Sequence, residues 1–176
     1  MMIPLAEDYQ DPTILALCNI LTSEGEPLAR RFRALFSLKH LACLQPPTLK
    51  SQLAIRAIAA AFYSPSALLK HELAYCLGQS KNAHAIPFLT KVLEDRQEDS
   101  MCRHEAAEAL GALGFIESLE ILRGIRDDKN EPDVVRETCD IAVDRIHWES
   151  SEERKQEKLK PRFIFIHYLY YIRILS

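Results

Sequence analysis

Leu68–Gly78, LLKHELAYCLG, decides how this chain is read, together with its echo at Met101–Gly111, MCRHEAAEALG. Each stretch has a basic residue, then His-Glu, then an apolar helical face closed by Leu-Gly. His104 follows His71 by 33 positions, and Glu105 follows Glu72 by the same interval. That interval is a helical-repeat period. A lone His-Glu dipeptide is ordinarily a solvated pair on a helix face, because exposed ion pairs contribute little. Two of them in one register of successive repeats place two imidazoles and two carboxylates at equivalent points of neighbouring helices. That is the arrangement of a metal site.

The register extends in both directions. KHELAYCLG, RHEAAEALG and RETCDIAVD align with Lys70, Arg103 and Arg136 at their heads, and RFRALFSL (Arg31–Leu38) aligns less cleanly upstream. The outer two repeats hold Phe32-Arg33 and Glu137-Thr138 where the middle two hold His-Glu. Around these words the 3.6-residue spacing of apolar side chains and the proline-marked turns predict eight helices. Asp11-Pro12 caps the first, Pro27 opens a second through Leu44, and Pro46-Pro47 ends it. Its buried side draws on Leu28, Phe32, Leu35, Phe36 and Leu38. A third helix is expected over Leu49–Phe62. A fourth is started by Ser64-Pro65 and ended by Gly78 in a C′ role. His84–Leu93, Met101–Leu113, Ile116–Ile125 and Pro132–Trp148 complete the set. Eight paired helices without period-2 alternation make an all-α solenoid of about four helix pairs.

Composition agrees with a soluble globular domain: 176 residues, 48% hydrophobic and 27% charged. A net charge of −3 provides no basic footprint for nucleic acid. No apolar run reaches the roughly 18 residues of a membrane span. The start, MMIPLAEDYQDP, lacks the n- and h-regions of a secretory signal. Five cysteines, Cys18, Cys43, Cys76, Cys102 and Cys139, are odd in number and widely spaced. They fit reduced cytosolic thiols, with Cys76 and Cys139 as core filler.

The candidate ligands are His71, Glu72, His104 and Glu105. Adjacent repeat helices pack about 8–10 Å apart, so side chains at one register can converge on a shared ion. Consecutive residues point ~100° apart around a helix, so one pair alone is a poor chelate and two stacked pairs a better one. Imidazole plus carboxylate suits Fe(II), Mn(II) or Zn(II). Neither motif is H-E-x-x-H, because Tyr75 and Glu108 stand at the fourth positions, and this excludes a zincin protease. Glu108, one turn after Glu105, adds negative potential beside the groove and is left outside the ligand set. Tyr75 is read as packing. His40, His84 and His147 have no register partner, and His167 lies in the tail; all four are read as surface or core residues.

LLKHELAYCLGQ, AIPFLTKVLED, RHEAAEALGALG, RETCDIAVDRI and PLARRFRALFSLKHL closely resemble the N-terminal half of deoxyhypusine hydroxylases, over roughly Pro27–Trp148. The resemblance implies a HEAT-like superhelix of two similar halves, each supplying two His-Glu motifs to a di-iron centre. It implies an O2-dependent monooxygenase that hydroxylates the deoxyhypusine side chain of a eukaryotic translation initiation factor in the cytoplasm. By position, His71, Glu72, His104 and Glu105 correspond to the first half's iron ligands.

The family carries four such motifs and this chain carries two. After the repeat domain, residues 1–148, a charged run over Glu149–Lys160 reads as a linker or solvated helix. An Ile/aromatic tail follows, Phe163–Leu175, FIFIHYLYYIRIL. The tail reads as foreign to the fold, as translation past a mis-assigned exon boundary would produce. The chain is therefore expected to be a truncated product holding half of the ligand set, inactive alone unless two copies pair through the exposed half-interface. Two other classes stay open. A metal-free repeat scaffold predicts that alanine at His71 and His104 leaves partner binding intact. A bilin lyase-type repeat protein predicts tetrapyrrole affinity without iron dependence.

Overall fold

The computed structural model describes residues 11–157, and these residues form helices with no strand among them. The helix ends follow local chemistry. Asp11 caps α1 (Pro12–Thr22), its carboxylate accepting from the Thr13 and Ile14 amides, with Pro12 in the first turn. Pro27 precedes α2 (Leu28–Ala42). Thr48 and Ser51 form a capping box on α3 (Leu49–Ala59), which tightens into a 3-10 turn over Ala60–Tyr63 instead of running on as α-helix to Phe62.

The start expected at Ser64-Pro65 moves to Ser66. Ser66 caps α4 (Ala67–Gln79) by accepting from the Leu69 amide, while the Ser64 hydroxyl accepts from the Ser66 amide outside the helix. A 3-10 turn over Ala83–Ala85 leads into α5 (Ile86–Glu94), with Pro87 in its first turn as expected. Asp99 caps α6 (Ser100–Leu113), and Gly114 ends it with φ +80. α7 (Leu119–Asp127), α8 (Asp133–Ser150) and α9 (Glu152–Glu157) follow. The charged run thus contributes the end of α8 and all of α9. The tail from Phe163, with His167 and Arg173, lies outside the described residues.

α2, α4, α6 and α8 stack side by side, and α1, α5 and α7 lie against their partners α2, α6 and α8. Ile14, Leu21, Leu35, Leu38, Ile55, Ile58, Leu73, Leu77, Leu89 and Leu110 are sealed between the layers. Phe36 and Leu28, expected inside, are exposed; the 3.6-residue stripe on α2 is narrower than its apolar content. Cys76 and Cys139 are fully buried, and burial pushes both thiols up to about 12, so they are inert packing groups.

The arginine heads of the repeats have one job in common. Arg31 Nε donates to the Leu21 carbonyl at 2.8 Å, Arg103 Nε to Leu93 at 2.8 Å and Arg136 Nε to Arg126 at 3.1 Å. Each acceptor is ten residues back, in the last turn of the preceding helix, where carbonyls lack an intrahelical donor. This places Arg31, unclear from sequence, at the head position of the first repeat. Lys70 departs from the pattern: it has no guanidinium fork and pairs with Glu98 at 2.5 Å.

Candidate metal centre

Close approach of the stacked helices builds the site. A Cβ on Gly78 would lie 2.8 Å from Ala109 Cα, and one on Gly111 would lie 2.8 Å from Ala142 Cβ. Both glycines are interior to their helices, so Gly78 is a packing residue and not the C′ residue expected from its place after Leu77. Without a Cβ at these two points, α4 sits on α6 and α6 on α8 at backbone contact, and short polar side chains reach across.

The four expected ligands are not equivalent in their surroundings. His71 and Glu72, on α4, are partly exposed; His104 and Glu105, on α6, are buried. His71 Nε2 lies 3.0 Å from Glu105 Oε2, and His71 Nδ1 lies 3.6 Å from Glu72 Oε1. The contact therefore runs from the His of one repeat to the Glu of the next. The Glu105 carboxylate, opposed in part by burial and helped by Glu72, raises the pKa of His71 above the usual imidazole value.

His104, Glu105 and Glu108 each offer a ligand atom, and these atoms lie within 4.8 Å of one another. Glu108 Oε2 is 4.0 Å from His104 Nε2. Glu108 was set aside on sequence grounds, yet its i+4 spacing from His104 and i+3 spacing from Glu105 signal a shared face. His71 adjoins this cluster through Glu105. Glu72 is linked to it through His71.

A further ring contact was not foreseen. His104 Nδ1 is 2.6 Å from Thr138 Oγ1 on α8. Thr138 holds the place that Glu105 holds one repeat earlier. His104 thus meets Thr138 at the register place where His71 meets Glu105, but through Nδ1 instead of Nε2 and with a hydroxyl in place of the carboxylate.

The donor chemistry fits a divalent ion of the iron, manganese or zinc type: imidazole nitrogens and carboxylate oxygens, with no thiolate in the cluster. Two other histidines are engaged elsewhere. His147 Nε2 is 2.9 Å from Arg123, and His84 packs edge-on against Phe88.

Residues 55–142 match the family model described as HEAT repeats. The chain belongs to the HEAT-repeat family. Over 150 residues this HEAT-repeat chain is 74% identical to a deoxyhypusine hydroxylase of Neosartorya fischeri, a match covering 85% of the chain and 45% of that relative. A deoxyhypusine hydroxylase of Aspergillus fumigatus is 70% identical over 162 residues, covering 90% of the chain and 48% of the relative. The solved structure of human deoxyhypusine hydroxylase in complex with glycerol superposes with a TM-score of 0.69 at 45% identity, covering 85% of this chain and 47% of that one. The HEAT-repeat chain thus spans about half the length of the curated relatives it matches.

Proposed function

We propose that this chain is one half of a di-iron, O2-dependent deoxyhypusine hydroxylase, with His71, Glu72, His104 and Glu105 as its iron-holding residues. The observation that carries this reading is the His71–Glu105 contact at 3.0 Å, joined to the His104–Glu105–Glu108 donor cluster, in a chain closely similar to deoxyhypusine hydroxylases. Iron, when bound, supplies the redox chemistry that O2 activation at an unactivated C–H bond needs and no side chain has. The chain's own residues position it. Gly78 and Gly111 set the helix separation, and Glu108 adds negative charge that attracts a cationic polyamine-like substrate arm. The substrate is the deoxyhypusine side chain of a translation initiation factor, and the proposed setting is the cytoplasm. The remaining ligands come from a second set of repeats, in the same polypeptide or in a second copy of this chain.

Complementation tests this. The chain is mixed with a polypeptide carrying the other repeats of a relative, and hydroxylation of the deoxyhypusine-bearing factor is followed by mass spectrometry. The expected result is iron- and O2-dependent hydroxylation by the mixture, abolished by His104→Ala. No turnover from a mixture that forms a stable complex and contains iron contradicts the assignment.

A further inference from the structure

The Thr138 hydroxyl has one proton and two close neighbours. Oγ1 lies 2.7 Å from the Val134 carbonyl oxygen and 2.6 Å from His104 Nδ1. A carbonyl only accepts, so the hydroxyl proton goes to Val134. The oxygen can then meet the ring only as an acceptor, which requires the proton on Nδ1. If the hydroxyl instead donated to a bare Nδ1, the contact with Val134 would set two lone pairs against each other at 2.7 Å. Thr138 is 6% exposed and His104 8% exposed, so water does not compete freely for either bond.

From this bookkeeping we infer that Thr138 is a positioning residue: it holds the His104 ring with a proton on Nδ1 and turns Nε2, 4.0 Å from Glu108 Oε2, toward the donor cluster. The inference rests on the proposed metal role of His104 and adds the residue that orients it. A ligating His whose other nitrogen donates to a fixed acceptor is locked in rotation and tautomer, and loss of such a partner weakens metal binding roughly 10–100-fold. Three features make Thr138 suited to the task. It sits on α8 directly opposite the ring, its Oγ1 is held by the backbone of its own helix, and its register place is that of a ligand-bearing Glu in the preceding repeat. A neutral acceptor there orients His104 without adding charge. Glu105, in the same place one repeat earlier, bears on His71 with a full charge and is itself a donor to the cluster.

The test uses the full chain with 15N-labelled histidine, metal-free and then titrated anaerobically with Fe(II). Three proteins are compared: wild type, Thr138→Val, which keeps the shape and removes the acceptor, and Thr138→Ser, which restores it. Expected for wild type and Thr138→Ser is the Nδ1–H pattern of ring nitrogen shifts at His104. For Thr138→Val the expectation is a mixture of tautomers and Fe(II) affinity lower by roughly 10–100-fold. The inference is overturned if wild-type His104 is the Nε2–H tautomer, or if Thr138→Val keeps both the wild-type tautomer and wild-type affinity. Should Thr138→Val fail to fold, an Nδ1–H pattern and unchanged affinity in Thr138→Ser support the inference, and an Nε2–H pattern there overturns it. If wild type shows the Nδ1–H pattern but takes up no Fe(II), the metal role falls while the orienting role of Thr138 stands.

Discussion

Gly78 lies directly against Ala109: a Cβ at Gly78 would fall 2.8 Å from the Ala109 Cα. The neighbour is backbone, so nothing flexible gives way, and α4 would have to move off α6. Since α4 carries His71 and α6 carries Glu105, the same separation governs the 3.0 Å contact between them.

Gly78→Ala is expected to destabilise the protein. Overpacking costs about 1–3 kcal/mol, offset in part by the roughly 1 kcal/mol that Ala gains over Gly in a helix. Gly124→Ala is the control. Gly124 is inside α7 with nothing within 4 Å of an added Cβ, so this change should stabilise by about 0.5–1 kcal/mol. Urea denaturation of the two variants should give shifts of opposite sign.

Arg103 and Glu131 form a nearly sealed ion pair at 2.6 Å, with side-chain exposures of 3% and 1%. The charges meet without a well-angled hydrogen bond, and Arg103 also holds the Leu93 carbonyl. Arg103→Ala should cost at most about 3–5 kcal/mol, because it leaves the buried Glu131 carboxylate with one cation, the exposed Arg96 at 2.9 Å. The double variant Arg103→Met, Glu131→Leu should cost far less. Comparison of the two in a double-mutant cycle checks the claim.

His84 provides one pH dependence of stability. Burial first, and the charge of Arg56 second, hold its pKa below the ordinary 6.5. The folded state thus disfavours the imidazolium, and the unfolded chain binds more protons once the pH drops below 6.5. Stability from this group is complete above pH 6.5 and falls as the pH decreases through 6.5 toward the folded-state value. The His84 ring resonance should titrate below 6.5, and His84→Gln should remove that part of the acid destabilisation. A midpoint at or above 6.5 contradicts the assignment.

The repeat register was legible because it is periodic: Lys70, Arg103 and Arg136 recur at fixed intervals, and apolar stripes mark each helix. What the sequence left ambiguous was contact across helices. A glycine after Leu77 looks the same whether it ends a helix or lets another helix approach, and only the neighbour Ala109 decides. Ser64 and Ser66 are both good caps, and the amide geometry selects Ser66. His71, Glu72, His104 and Glu105 were found by repetition. Their pairing as His71 with Glu105 required knowing how far adjacent helices are staggered. Glu108 and Thr138 lack a repeated signature, since Tyr75 and Glu105 hold the corresponding places one repeat earlier, so only the folded chain brings them to His104.

Anaerobic calorimetric titration of the full chain with Fe(II) tests the central claim most directly. The account predicts saturable binding by wild type, weakened by His104→Ala or Glu105→Ala by more than the roughly 10–100-fold that loss of an outer-shell partner costs. His40→Ala and His147→Ala should leave it unchanged. Absence of Fe(II) binding by the folded wild-type chain, or equal binding by His104→Ala, would contradict the account.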